Sequence, residues 1–484
     1  MHFLRKIGDE VLIVYNPRKE HIEVGENLRI FDTKINRGII VQVIDLSLID
    51  LAGILEDIVR SESIGNVKIE EYKPPQIEPY LLDVKNMKVC RGKIIKEIVM
   101  EKTKEKFVPW TGWIPDRSVK INPVNDAVIM KRLKLKGSYP IKIGKTVYSK
   151  ADCFINAYNL QGINIIVGKK GAGKSHIGKV LLLGLINNGA KAIVFDINDE
   201  YKGLRFTKEN KKSEYYDRII PLNPGKNMRF TWDYVGLDVI YETLTTVMNL
   251  PDASAYTLRN IWIDIKKEEE TIRYSSIIEK LEDYNPKVSE AILRRLDQIR
   301  GTKLLTESPK KAISLEDELR KLKNGGAIVV NLKAKSIVEM AITVQTTLSK
   351  LRSLLESGEP PLWIFAEEAH LYLNTTTWED IVTRMRHLGA YQIYLTNSPT
   401  MIPETIIRQA DNLFLFHLST NYDLKYIAPA SKLDSSTIIP IANALPPRRC
   451  LVIGTATKDF PLIIDTIAIS EQTAGQTRLF FNKY

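Results

Sequence analysis

Residues 163–175 read INIIVGKKGAGKS, an apolar run followed by a turn of glycines and lysines and then by apolar residues at helical spacing. The stretch fits the P-loop pattern G-x-x-x-x-G-K-[ST], in the strand-to-helix setting that this motif requires. Its glycines allow successive backbone N–H groups to point at a phosphate chain, and the N-terminus of the following helix adds positive charge. The segment therefore predicts a nucleoside triphosphate site rather than a glycine-rich turn that matches by chance.

Two residues of this segment have distinct predicted roles. Lys174 is expected to reach the β- and γ-phosphates of ATP, and the Ser175 hydroxyl is expected to hold Mg²⁺. The predicted nucleotide-binding residues are Gly168, Lys169, Lys170, Gly171, Ala172, Gly173, Lys174, Ser175 and His176.

Composition limits the class of protein. A chain of 484 residues predicts two or three domains, and its formal charge of +11 favours a polyanionic partner such as nucleic acid. No apolar run of about eighteen residues occurs, and the N-terminal sequence lacks the pattern of a signal peptide. We therefore expect a cytoplasmic protein without a membrane partner. The three cysteines are far apart, which favours buried thiols over a metal site.

The apolar pattern changes along the chain and predicts an α/β fold preceded by a small barrel. Residues 1 to about 70 alternate in the β manner between turn signals, and extension of this barrel to about residue 125 is the alternative. From residue 151 strands alternate with helices, which predicts a mostly parallel sheet. The predicted divisions are 1–70 for the barrel, 126–237 for the first part of the P-loop core, 238–323 for a helical insertion and 324–484 for the second part of the core.

Residues 131–150, KRLKLKGSYPIKIGKTVYSK, contain seven basic residues, two tyrosines and no acidic residue. Basic side chains interleaved with aromatic ones are typical of a nucleic-acid track. A solvated linker or edge hairpin kept soluble by its lysines is the alternative, and it is the interpretation that the pattern favours.

The apolar strand LWIFA ends in Glu367 and Glu368. A P-loop enzyme needs a carboxylate near the Mg²⁺ shell and a second one to orient and deprotonate the attacking water. We assign these roles to Glu367 and Glu368, in that order.

Two further segments supply candidate catalytic residues. The segment YQIYLTNSP is a predicted strand with a polar end, where Asn397 is expected to contact the γ-phosphate or the attacking water. An ordinary strand-to-loop turn is the alternative. RMRHLGA carries Arg384 and Arg386, and an arginine supplied across a subunit boundary stabilises charge on a transferring phosphoryl group. Of the two we favour Arg386, and a pair of surface arginines is the alternative.

Together the ordered motifs resemble the HerA branch of the HerA/FtsK translocases. The motifs are GKKGAGKS, DINDEY, EEAH, the arginine-bearing helix, TNSP and the final LPPRRCLVIG. The resemblance covers most of the chain and implies a RecA-like P-loop ATPase core behind a HAS-barrel-like domain. The family usually shows DEAH-like, DPHGEY-like and TQRP sequences at three of these places. Ser398 stands where TQRP has arginine, so positive charge there must come from Arg384, Arg386 or Arg408.

By this resemblance the chain is expected to form a homohexameric ring that hydrolyses ATP and translocates double-stranded DNA. The family also implies a NurA-type nuclease partner and DNA-end processing. Three alternatives stay open: a viral or plasmid motor for DNA packaging or transfer, a P-loop switch or assembly factor that does not translocate, and a nucleotide-binding protein with weakened hydrolysis.

Overall fold

A computed structural model describes residues 1–48, 87–101, 104–117, 119–373, 384–431 and 433–473. Residues 49–70 of the predicted barrel lie outside the described residues. Residues 374–383, which precede Arg384, also lie outside them. The structure contains two β-sheets, the first formed before residue 124 and the second formed by the rest of the chain.

The first sheet is antiparallel and contains β1 (His2–Ile7), β2 (Glu10–Tyr15), β3 (Asn27–Asp32), β4 (Arg37–Leu48), β5 (Lys88–Glu101), β6 (Lys104–Val108) and β7 (Lys120–Pro123). Its order is β1-β2-β5-β4-β3-β7, with β6 beside β5. In β2, Val11 and Ile13 are fully buried and the residue between them is less so, as the period of two predicts, whereas β4 is buried continuously from Gly38 to Ile44. No ladder joins β1 to β7 among the described residues, and in this part of the chain the first sheet is a half-barrel where the sequence predicts a small barrel.

The second sheet contains β8 (Pro140–Thr146), β9 (Asp152–Asn156), β10 (Ile163–Val167), β11 (Lys191–Asp196), β12 (Ile219–Leu222), β13 (Gly326–Asn331), β14 (Leu362–Glu367), β15 (Ala390–Thr396), β16 (Asn412–Leu415), β17 (Arg449–Gly454) and β18 (Leu462–Thr466). Its order is β12-β13-β11-β14-β15-β10-β16-β17-β18-β8-β9. The strands from β12 to β16 in that order are parallel, and the remaining pairs are antiparallel.

The described helices are α1 (Asp126–Leu133), α2 (Lys174–Asn187), α3 (Trp232–Val235), α4 (Leu237–Glu242), α5 (Asp252–Glu268), α6 (Tyr274–Leu281), α7 (Pro286–Gly301), α8 (Leu315–Lys321), α9 (Ile337–Glu356), α10 (Glu404–Arg408), α11 (Asn421–Ser431) and α12 (Ser435–Asn443). Local sequence sets their ends. Ser336 and Glu339 form a capping box at the start of α9, and Asn285 caps α7 ahead of a proline.

The α/β character predicted from the sequence is confirmed by the central strands. Every residue of β10 and β14 is buried, and apolar helices pack around them, as expected for parallel strands covered on both faces. β10 lies between β15 and β16, and β14 is the next strand beyond β15. Because parallel strands end at the same edge of a sheet, the segments that follow β10, β11, β14 and β15 meet there.

Polar contacts join the half-barrel to the second sheet. The buried Lys93 ammonium contacts the carboxylates of Asp9 and Asp434, and the Tyr148 hydroxyl donates to the carbonyl of Val24. Gln42 bridges the two parts by donating to backbone carbonyls of both. None of the described helices is both long and apolar enough to cross a membrane.

Candidate nucleotide site

The P-loop wraps closely around one aromatic ring. A Cβ at Gly168 would lie 2.5 Å from Cβ of Phe416, and a Cβ at Gly173 would lie 2.9 Å from the Phe416 ring. Gly173 also has φ +121°, which L side chains rarely adopt. Gly168 therefore requires glycine because of its packing, and Gly173 because of both its packing and its conformation.

Backbone hydrogen bonds hold this loop from both sides. The Lys169 N–H donates to the His417 carbonyl at 2.8 Å, and the Arg448 N–H donates to the Ala172 carbonyl at 3.0 Å. Lys169 itself is exposed, as is Lys170. The loop is thus supported by the chain that follows β16 and by the chain that precedes β17.

The Lys174 side chain is folded over the loop and is only 9 % exposed. Its Nζ donates to the carbonyl oxygens of Gly168 at 2.8 Å and Lys169 at 3.2 Å. Burial lowers the pKa of Lys174, and the nearby carboxylates of Glu368 and Glu367 oppose that shift. The ammonium therefore lies between the loop and both predicted acids, where a phosphate oxygen would be a stronger partner than a carbonyl.

Glu367 ends β14 in a buried position and is 2 % exposed. Within the described chain neither carboxylate oxygen has a hydrogen-bond partner of normal geometry, although the Tyr201 hydroxyl lies nearby. Burial raises the pKa of Glu367 to about 8, and the carboxylates of Asp196 and Glu200 add to the effect. An unpaired buried carboxylate beside a P-loop suits a hard cation or a water of its shell, so the residues fit Mg²⁺.

A buried charge network lies behind Glu367 and was not predicted. Asp196 accepts hydrogen bonds from the backbone N–H groups of Glu200 at 3.0 Å and Tyr201 at 2.9 Å. Lys179, on the helix after the P-loop, forms a 2.7 Å ion pair with Glu200. The Lys179 ammonium places one positive charge beside the buried carboxylates and opposes the rise in the pKa of Glu367.

Glu368 follows β14 in the left-handed region, with φ 45° and ψ 48°. Its carboxylate accepts hydrogen bonds from the Thr396 hydroxyl at 2.8 Å and from the Asn397 N–H at 3.2 and 3.3 Å. Its own N–H donates to the Leu395 carbonyl at 2.7 Å. A left-handed glutamate is an uncommon conformation, and these bonds to the end of β15 hold it there.

The predicted sensor residue Asn397 contacts Glu368 through its backbone. Its side-chain oxygen accepts a 2.9 Å hydrogen bond from the Ser398 hydroxyl, and the residue is exposed. The threonine that precedes it makes the side-chain contact to Glu368. A phosphate-sensing role for the Asn397 amide stays a prediction.

The predicted arginines lie elsewhere in their own chain. Arg386 forms a 2.8 Å ion pair with Asp411, whose carboxylate also accepts the Ile163 N–H at 2.9 Å. Ile163 begins β10, and the P-loop follows the other end of that strand, about 13 Å away for five residues. Arg384 is exposed, and Arg408 pairs with Glu404 on its own helix. A role for Arg386 in phosphoryl transfer therefore requires a second copy of the chain.

The structure brings the predicted site residues Lys174, Glu367 and Glu368 together at one edge of the sheet. It adds Thr396, Asp196, Glu200 and Lys179, which the motif search did not assign to the site. One signal was available: Lys179 is a charged residue in the apolar helix that follows the P-loop, so burial of its side chain required an acidic partner.

Comparison with known proteins gives a family match over the region that contains the P-loop. Residues 141–351 match the family described as "Helicase HerA, central domain". No curated protein matched the chain. Among solved structures, VirB4 of Thermoanaerobacter pseudethanolicus aligns with a TM-score of 0.52 at 14 % identity, covering 69 % of this chain and 97 % of that one.

Two further structures align less closely. The plasmid coupling protein TrwB, solved in complex with ADP and Mg²⁺, has a TM-score of 0.49 at 15 % identity and covers 73 % of this chain and 94 % of its own. The genome packaging NTPase B204 from Sulfolobus turreted icosahedral virus 2 has a TM-score of 0.34 at 14 % identity, covering 64 % and 100 %. The likeness to VirB4 shows the fold alone. The family match over residues 141–351 confirms the resemblance to HerA.

Proposed function

We propose that this chain is an ATP hydrolase with a RecA-like core that works as a homohexameric translocase on double-stranded DNA. The order of the strands supports the core assignment, because β15 separates the P-loop strand from the strand that carries the acids. The match of residues 141–351 to the HerA central domain supports the motor assignment. The proposal includes the division into an N-terminal half-barrel domain, a two-part core and a helical insertion at residues 238–323.

The proposed reaction is the attack of water on the γ-phosphorus of ATP. Backbone N–H groups of the P-loop and the Lys174 ammonium bind the β- and γ-phosphates. Glu368 orients the water and takes its proton as the new P–O bond forms and the bond to the β,γ-bridging oxygen breaks, which releases ADP and phosphate. Mg²⁺, held by Ser175 and through its water shell by Glu367, would supply stabilisation of the phosphate charge.

The observation that carries this proposal is the fixed position of Glu368. Thr396 and the Asn397 N–H hold its carboxylate at the sheet edge where the P-loop lies. A general base must be held within reach of the water that it deprotonates. A glutamate in a strained conformation, secured by two donors from the neighbouring strand, meets that requirement.

ATP turnover of point variants tests the hydrolase. Lys174→Ala should abolish productive ATP binding, whereas Glu368→Gln should bind ATP and hydrolyse it at least about 100-fold more slowly, as expected when a general base is lost. Lys310→Ala removes an exposed lysine far from the site in sequence and serves as the control. Normal turnover by Glu368→Gln would show that another group is the base.

Duplex DNA tests the motor. We expect duplex DNA to stimulate ATP turnover, and its affinity to fall steeply with salt because phosphate contacts release counterions. The mass of the particle, measured with ATP and duplex DNA, should correspond to six chains. Unchanged turnover on adding DNA, without salt-dependent binding, would instead favour a non-translocating switch or assembly factor. A NurA-type nuclease acting at DNA ends remains a proposal from the family resemblance alone.

A further inference from the structure

The basic segment 131–150 forms part of a surface pocket that the proposed ATPase does not use. The pocket has a volume of about 450 Å³ and lies between the end of α1 and the β8–β9 hairpin. Met130 and Phe154 contribute apolar surface to its lining. Three lysines also line it, namely Lys131, Lys134 and Lys136.

Helix capping does not explain all of these lysines. Lys131 lies in the last turn of α1, where a positive charge complements the helix dipole. Lys134 and Lys136 follow the end of the helix, and the Lys136 ammonium lies 5.0 Å from the centre of the Phe154 ring. The one carboxylate that lines the pocket, Asp152, is already paired with Lys142 at 2.7 Å. The pocket is therefore suited to an anionic ligand that also has an apolar or aromatic part.

Two exposed tyrosines lie next to this pocket. Tyr139 is 52 % exposed and Tyr158 is 62 % exposed. The N–H groups of both donate to one oxygen of Asn156, at 3.3 and 3.2 Å. Gly137, which lines the pocket, packs directly on Asn156, since a Cβ at Gly137 would lie 2.0 Å from Nδ2 of Asn156. The backbones of the two tyrosines and the Gly137 edge of the pocket thus meet at Asn156.

We propose that this surface, formed by Lys134, Lys136, Tyr139, Phe154 and Tyr158, binds single-stranded nucleic acid. Lysines attract the phosphates, and exposed aromatic rings stack on unpaired bases. A duplex keeps its bases stacked inside and would use the lysines alone. The combination of charge with solvent-facing rings therefore favours a single strand over a duplex.

This surface is separate from the nucleotide site. Tyr158 lies in the turn Ala157–Leu160, just before β10 begins, whereas the P-loop follows the other end of β10. The inference goes beyond the proposed ATPase and does not depend on it. Binding of a single strand is therefore testable in the absence of nucleotide.

The test is fluorescence anisotropy of the full chain with labelled oligothymidine and oligouridine of about 15 nucleotides, and with a duplex of the same length. Replacing both Tyr139 and Tyr158 by Ala should weaken binding of the single strands by about 5- to 150-fold per ring, and replacement by Phe should preserve it. Replacing Lys134 and Lys136 by Ala should make the slope of log binding constant against log salt concentration less steep, by about 0.7 for each lysine. Tyr256→Ala, on α5, and Lys310→Ala are the exposed control substitutions.

Thermal melting of each variant shows whether the fold is intact, and duplex binding by the tyrosine variants should be unchanged. The proposal is overturned if the Ala variants of the tyrosines bind both single strands as tightly as the original chain. It is also overturned if these substitutions weaken duplex and single-strand binding equally. If the original chain bound single strands but did not hydrolyse ATP, that result would contradict only the proposed function.

Discussion

The hydroxyl of Thr396 donates a 2.8 Å hydrogen bond to the carboxylate of Glu368. It links the tip of β15 to the proposed base at the tip of β14, and the neighbouring Asn397 N–H joins the same carboxylate. β15 also pairs with β10, the strand that leads into the P-loop. A single strand therefore contacts the base on one side and supports the phosphate-binding loop on the other.

Thr396→Val tests whether this bond positions the base. We expect kcat for ATP to fall by about 10- to 150-fold, because a hydrogen bond to a charged group contributes about 1.5–3 kcal/mol. KM should change little, since Lys174 and the P-loop remain. Thr396→Ser keeps the hydroxyl and should restore most of the turnover. Steady-state kinetics of both variants give the measurement, and wild-type kcat in the valine variant would contradict the role.

Glu367→Gln should stabilise the nucleotide-free protein, and the gain should grow with pH. Burial raises the pKa of Glu367 to about 8 from an ordinary value of 4.5. The folded state therefore holds a proton that the unfolded state has lost between these values, so the carboxyl costs stability as pH rises through this window. The cost is about 1.4 kcal/mol per pKa unit and is an upper bound for a group that shares its charge with Asp196.

Thermal melts at pH 5 and pH 8.5, without nucleotide and with a chelator, measure this effect. The melting temperature of Glu367→Gln minus that of the original chain should be larger at pH 8.5. Glu359→Gln, at an exposed position, corrects for the loss of one negative charge. An equal difference at both pH values would show that Glu367 is not buried in its charged form at high pH.

Local patterns in the sequence predicted the central features of the site. The P-loop, the acids after β14 and the polar end of β15 are each contiguous segments, and parallel strands bring such segments to one edge. The network of Asp196, Glu200 and Lys179 was not predicted, because the DINDEY motif that contains Asp196 and Glu200 does not indicate their partners and Lys179 belongs to none of the motifs. Its meaning comes only from the pairing of strands distant in sequence.

Long-range packing also explains the other differences between what the sequence predicts and what the structure shows. Whether seven strands close into a barrel depends on the pairing of β1 with β7, which no local pattern encodes. The two tyrosines of the segment 131–150 look equivalent in sequence. In the structure the Tyr148 hydroxyl donates a hydrogen bond to the Val24 carbonyl, whereas Tyr139 is exposed. The interpretation of that segment as a solvated hairpin therefore describes only part of it. Arg386 precedes β15 and Asp411 precedes β16, and they pair because these two strands flank β10.

Asp434→Asn and Asp434→Ala test the contact between the half-barrel and the second sheet. Asp434 caps α12 through the Thr437 N–H at 2.8 Å and also pairs with Lys93. The asparagine keeps the cap and loses the charge, whereas the alanine loses both, so alanine should cost about 1 kcal/mol more. The double variant with Lys93→Met gives the coupling energy of the ion pair in a double-mutant cycle.

The contribution of this pair should shrink in acid. Burial disfavours the charged form of Asp434, but hydrogen bonds from Lys93, Thr437 and Ser436 outweigh it and lower the pKa of Asp434. The stability that the charge contributes is therefore present above the ordinary pKa and is lost as pH falls below it. Chemical unfolding at pH 7 and pH 3 should show a smaller Asp434→Asn deficit at pH 3 than at pH 7, because the loss begins near the ordinary pKa of 3.8 and continues towards the lowered pKa of the folded state. A deficit of equal size at both values would assign the loss to packing.

Arg386→Ala, mixed with Lys174→Ala, tests whether Arg386 acts on a neighbouring copy. In its own chain Arg386 pairs with Asp411 at the end of β10 remote from the P-loop. An arginine finger supplied in trans raises turnover by about 10³–10⁵, so each variant alone should be nearly inactive. Their mixture forms some sites with an intact P-loop and an intact neighbouring arginine, and we expect partial recovery of ATP turnover.

Asp411→Asn is the matched control, because it breaks the ion pair and leaves the arginine in place. If Arg386→Ala and Asp411→Asn lose thermal stability and activity in parallel, and the mixture recovers no turnover, Arg386 is a structural residue.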